Sequence, residues 1–198
     1  MEIMERFPNP AILLHPNIPK PLHGVAPRTV MSSSWWYNER QSAYELCFGK
    51  CMACGELPRS SKYLHAHEFY DVDYAKCRMT YIRAIPVCLQ CHDYIHSGRL
   101  YMMFTSGKYA KNYAMNVLER GFKLLKDVDL DPLGVDKLVY SYIKRGMQNV
   151  ITNTDSIQRS DDNETVKCEW GDWRLVVDGI EYEPKFSTAE EWKDYYRD

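Results

Sequence analysis

Hydrophobic positions along this chain change period several times, and each change marks an element. Residues 1–31 show no regular spacing and hold Pro8, Pro10, Pro16, Pro19, Pro21 and Pro27. Proline lacks an N–H and steers the residue before it away from helix, so this stretch reads as an extended arm. Three serines, Ser32 to Ser34, then offer helix N-caps. From Trp35 to about Cys47 the spacing is helical, with Trp36, Arg40, Ala43, Tyr44 and Cys47 near one face. Tyr63–Phe69 alternates as a strand does, and Met79–Val87, rich in β-branched and aromatic residues, reads as its partner. Leu89–Ser97 reads as a short helix stopped by Gly98. Two or more helices follow between Arg99 and Met147, with Gly107 and Gly121 as breaks. Residues 149–164 are polar and aperiodic, as a linker is. Val166–Phe186 then reads as a hairpin turning at Asp178-Gly179, and Ser187 or Thr188 caps a last short helix that carries Glu190 and Glu191 in its first turn. The fold class expected is α+β, divided into an arm (1–31), a central domain (32–148), the linker (149–164) and a C-terminal hairpin-helix appendage (165–198).

Composition narrows the class. Hydrophobic residues make up 45% of the 198 residues and aromatics 13%, values of a globular chain rather than a disordered one. No apolar run reaches the roughly 18 residues that span a bilayer, so no membrane partner is expected. The first residues lack the basic start and long apolar core of a signal peptide, and a cytoplasmic setting is expected. The net charge of −2 conceals an asymmetry: +1 over 1–60, +4 over 61–150 and −7 over 151–198. Contact with nucleic acid must therefore come from a local surface, and the acidic C-terminal part suits a protein partner. Trp35 and Trp36 are expected in a core rather than stacked on bases. The lysines at 108, 111, 123 and 126 are read as a solvated helix face.

Seven cysteines in a reducing compartment favour metal or thiol chemistry over disulfides. Four of them form two C-x-x-C pairs, Cys51/Cys54 and Cys88/Cys91. Two such turns, each aiming both sulfurs inward, complete a tetrahedral zinc shell of the treble-clef kind. The interval between the pairs accommodates a β-hairpin. Within it the first strand reads Leu64-His65-Ala66-His67-Glu68, and the second pair runs directly into Cys91-His92-Asp93-Tyr94-Ile95-His96. His92 and His96, four apart, share one helix face. With His67 they offer three neutral nitrogen ligands to a divalent ion with positions left for phosphate and water, an arrangement suited to phosphodiester cleavage.

The stretch CMACG … LHAHEFYDVDY … IPVCLQCHDYIHSGRL resembles the HNH endonucleases with a four-cysteine zinc site, particularly small ones of phage and bacteria; the resemblance covers about residues 47–100. It implies a ββα-metal core with flanking helices and a DNA endonuclease or nickase. The structural cofactor would be Zn²⁺, and the catalytic cation Mg²⁺, Mn²⁺, Ni²⁺ or Zn²⁺. It places His67, His92 and His96 on the ligand positions of that cation. Two features depart from the family pattern. Glu68 stands where the general-base histidine usually follows the first ligand, and residues 69–87 contain no asparagine. Glu68 and His65 are thus the two candidate bases, and Arg78, Arg83 and Arg99 are candidate contacts to the DNA backbone. The competing expectation is a catalytically silent HNH-derived scaffold that binds a protein as an inhibitor or phage accessory factor.

Overall fold

The computed structural model of the chain describes residues 7–147 and 168–196. The expected linker over 149–164 lies outside these residues. Among the described residues the protein is α+β, with seven α-helices and one four-stranded sheet of order β1-β2-β3-β4. In chain order these are α1 (Pro27–Val30), α2 (Ser33–Leu46), β1 (Leu64–Asp73), β2 (Arg78–Cys88), α3 (Leu89–Ile95) and α4 (Ser97–Thr105). There follow α5 (Lys111–Lys126), α6 (Gly134–Arg145), β3 (Arg174–Val177), β4 (Ile180–Tyr182) and α7 (Ala189–Tyr195). The cysteine–hairpin–cysteine–helix order expected of a ββα core is present.

The chain divides into two compact units. One is drawn from Met1–Asn17, Tyr44–His67 and Pro86–Ser160; the other from Ile18–Ala43, Glu68–Ile85 and Asp161–Asp198. The first unit holds the two cysteine pairs and a helical layer in which α3 meets α5, and α4 and α5 each meet α6. Its buried side chains include Tyr94, Ile95, Leu100, Leu118, Leu125, Val139 and Ile143. Gly107, at φ +74, ends α4 as its lack of a Cβ permits. Gly121 does not break a helix; it lies inside α5, where a Cβ would collide with the ring of Tyr94. Gly98 does not stop one either. The break falls at His96 (φ −98, ψ 50), and α4 restarts at Ser97. A lone glycine in a run of otherwise good formers is tolerated in a first helical turn.

The second unit is built around Leu22, Val25, Tyr70, Met79, Tyr81, Trp173, Leu175 and Val177. Trp35 is partly buried and packs against the edge of this cluster, with its indole N–H donating to Asp178 at 3.2 Å. β3 pairs with β4 in an antiparallel hairpin whose turn is Asp178 (φ 50) and Gly179 (φ 79), the two left-handed positions of a type I′ turn. β3 also adds to β2 in parallel register, Arg78 facing Arg174 and Thr80 facing Val176. Thr188 caps α7 through the N–H of Glu191. Two cysteines expected to stay reduced, Cys77 and Cys168, are joined as a disulfide with Cα atoms 5.9 Å apart. Of the seven cysteines these two alone meet at the second unit's core, on segments 91 residues apart, and a meeting at that separation leaves no mark in composition or compartment.

Candidate metal centres

The first cysteine pair sits in a turn closed by two backbone bonds: Gly55 N–H to Cys51 O (2.7 Å) and Cys51 N–H to Glu56 O (2.8 Å). Gly55 takes φ +76, which the tight return requires. The second pair straddles a strand-to-helix junction. Cys88 is the extended N-cap of α3 and Cys91 lies in its first turn. Met52 N–H reaches Pro86 O at 2.7 Å and fixes one turn against the other. The four sulfurs lie within 4.8 Å of one another, and those of Cys54 and Cys88 are 3.9 Å apart. Zn–S bonds of about 2.3 Å set tetrahedral S–S edges of about 3.8 Å, so the cluster fits a zinc ion. Its electrostatics agree. The Cys54 thiol is pushed far down, first by its hydrogen bond with Cys51, while Cys88 and Cys91 are pushed far up, again with Cys51 the first cause. Four sulfurs this close become thiolates together only around a cation. Arg120, held by Glu56 (2.8 Å) and Gln90 (2.7 Å), brings one positive charge alongside.

The histidine trio is beside it in the same unit. One ring nitrogen from each of His67, His92 and His96 lies within 4.8 Å of the others. His67 comes from β1 and is buried; His92 lies on α3 and His96 is its C-cap, both half-buried. The rings of His92 and His96 meet edge to face at 4.7 Å, and that of His67 meets His96 at 5.1 Å and His92 at 5.5 Å. Three imidazole nitrogen donors and no carboxylate suit Zn²⁺ or Ni²⁺ better than the oxygen-preferring Mg²⁺ or Mn²⁺.

His65 stacks on His92 with ring centroids 4.9 Å apart and planes 18° from parallel. Burial holds its imidazole below the ordinary value, against the pull of Asp93 toward the charged form. Asp93 is fully buried and accepts from Tyr113 Oη (2.7 Å) and Arg99 Nη1 (3.2 Å). Arg99 thus stands in the histidine unit with its guanidinium half exposed. Arg78 and Arg83 belong to the second unit; both are exposed, and Arg78 is ion-paired with Glu181. Glu68 follows His67 directly, and consecutive strand residues leave on opposite faces. Its carboxylate is 7% exposed and faces Arg28 Nε at 3.8 Å. Burial raises its proton affinity above the ordinary value; the Arg28 guanidinium and the Tyr70 hydroxyl offset this only in part.

One histidine of this neighbourhood gives no signal in the sequence. His15 of the arm is 5% exposed, and its Nδ1 is 3.4 Å from Nε2 of His67. It stands outside every motif. The Leu14-His15-Pro16 context is the only local sign that its backbone is fixed.

No protein-family model, curated protein or solved structure matches this chain. No described helix is long and apolar enough to cross a membrane.

Proposed function

We propose that the protein is a metal-dependent phosphodiester hydrolase of the HNH type that cuts or nicks DNA. The observation that carries the reading is the convergence of His67, His92 and His96 beside a four-cysteine cluster on a strand–strand–helix core. The cysteines would hold a structural zinc, stapling the turn of residues 51–55 to the start of α3. Imidazoles ligate as neutral donors, so a divalent ion held by these three would keep its full charge and would supply charge neutralisation for phosphate and leaving oxygen.

The chain supplies the rest. His65 is the better placed of the two candidate bases. It leaves β1 on the same face as His67, and its depressed proton affinity leaves it neutral at pH 7, ready to accept a proton from water. Arg99, steadied by Asp93, presents donors to a phosphate oxygen. Glu68, buried against Arg28, is the base of second choice. That same burial favours the silent-scaffold reading, because a carboxylate tied up in this way is poorly placed to serve water.

The test is a nicking assay on supercoiled plasmid with Mg²⁺, Mn²⁺, Ni²⁺ or Zn²⁺. Wild type should cut. His67→Ala and His92→Ala should abolish cutting while about one equivalent of zinc stays bound. His65→Ala should slow cleavage about 10²-fold or more, the weight of a general base, with a smaller loss for Glu68→Gln. A wild-type protein that cuts no DNA with any of these metals is the scaffold, not the enzyme.

A further inference from the structure

The arm ahead of residue 18 is anchored more firmly than a proline-rich leader needs to be. Asn9 N–H donates to Met52 O at 2.8 Å, inside the first cysteine turn. The Asn9 side chain accepts from Ala11 N–H at 3.1 Å and caps a short 3-10 turn over Pro10–Leu14. Ile12 and Leu13 in that turn are fully buried, and the turn packs on α3 and α5. His15 follows at once. Its N–H is bound to Ile12 O at 3.1 Å, and Pro16 holds its backbone extended from the other side, at φ −54 and ψ 129. Sequence and packing thus fix the His15 backbone on both sides.

What this fixed backbone delivers is one imidazole to one member of the trio. The rings of His15 and His67 meet edge to face at 88° with centroids 5.1 Å apart, and the nitrogens that approach are His15 Nδ1 and His67 Nε2. Both residues are 5% exposed. A metal-bound histidine almost always has its second nitrogen engaged by another group, which sets its tautomer and the direction of its lone pair. That group is usually a carboxylate, a carbonyl or water.

We infer that His15 is the positioning residue of the histidine centre: its Nδ1 accepts a hydrogen bond from Nε2–H of His67, which holds that proton on Nε2 and so leaves the Nδ1 lone pair of His67 for the ion. The inference rests on the trio holding a metal ion. It adds that the centre is assembled from three separate stretches of chain, one of them the arm, and that cation affinity is set partly from outside the HNH-like segment.

The test compares His15→Asn with His15→Leu in full-length protein with zinc in the four-cysteine site. Asparagine places an acceptor oxygen close to where Nδ1 stood; leucine fills the space and accepts nothing. Asn9, Ile12 and Leu13 anchor the arm in both variants. Titration with Co²⁺ or Ni²⁺ should show the leucine variant binding the second ion about 10- to 100-fold more weakly than wild type, and the asparagine variant within a few-fold of it. Long-range ¹H–¹⁵N spectra should report His67 as the Nε2–H tautomer in wild type and in the asparagine variant, and lose that state in the leucine variant. Equal affinities in all three proteins, with the His67 tautomer unchanged, would overturn the inference while leaving the metal centre standing. An asparagine variant as weak as the leucine one would overturn it too, because His15 would then be a ligand or a filler. A wild type that binds no second ion would end both readings.

Discussion

His23 shows how much a single side chain can be asked to do away from any metal. Its Nδ1 accepts from the Trp192 indole N–H at 3.1 Å, and its Nε2 lies 3.1 Å from Ile18 O, to which Nε2–H donates. Both nitrogens are therefore committed in the neutral form. Burial lowers its proton affinity first, and Lys20 lowers it further, against the carbonyl of Ile18. A folded-state value below the unfolded one means that the stabilisation is complete above about pH 6.5, the unfolded value, and is lost as pH falls toward the folded value. The second unit should accordingly weaken as pH falls below about 6.5. His23→Gln should flatten that part of the stability profile, read from tryptophan fluorescence during urea unfolding at each pH. A variant whose profile runs parallel to wild type would show that His23 does not carry the dependence. Legibility at this scale follows locality. The cysteine pairs and the His92/His96 spacing were readable because their geometry is set within one turn. His15 was not, because its partner lies 52 residues away and nothing in the intervening sequence encodes the meeting.

Among the elements, α3 and α5 depend on a position where nothing can be added. Tyr94 is 1% exposed and its ring lies directly against Gly121, in the space a Cβ would take. The glycine costs α5 about 1 kcal/mol of helix propensity, and the close approach of α3 offsets it. Gly121→Ala gains that propensity but overpacks the contact, for a net loss of about 1–3 kcal/mol. Pairing it with Tyr94→Leu should recover part of the loss, a non-additivity measurable in a double-mutant cycle by thermal unfolding. A more stable Gly121→Ala protein would mean that the ring moves away freely. The sequence suggests a helix break at Gly121 because composition cannot distinguish a glycine kept for its torsional freedom from one kept for its missing Cβ. The parallel pairing of β2 with β3 was equally illegible. Each strand carries its own alternation, but pairing between strands almost a hundred residues apart leaves no local mark.

At the scale of the whole molecule, the C-terminal part is built into the second unit rather than appended to it. Trp173, Leu175 and Val177 are at most 4% exposed, and they share one core with Leu22, Tyr70 and Met79. Several acids of that segment have partners there: Glu181 meets Arg78, Glu183 meets Arg174 and Asp178 meets Trp35. A chain stopped at residue 167 should keep about one equivalent of zinc and slow amide exchange in α5. Protection at Tyr70, Met79 and Tyr81 should be lost. Unchanged protection at those three residues would show that the sheet stands without β3.

The same interleaving has a consequence for the order in which the protein can come into being. The chain leaves and re-enters each unit, so neither is a contiguous stretch that could be cut out or exchanged as a module. On a ribosome, the first unit's last described helix, α6, ends at Arg145, before Trp173 is made. The zinc turns and the helical layer can therefore close while the second core still lacks β3. Leu22 and Val25 emerge early; Tyr70 and Met79 follow about 50 residues later, but Trp173, Leu175 and Val177 come only after about 150, on the order of ten seconds at ordinary elongation rates. Through that interval the β1–β2 hairpin presents an open strand edge and an apolar face to solvent or to a chaperone, and only the final stretch of synthesis covers it.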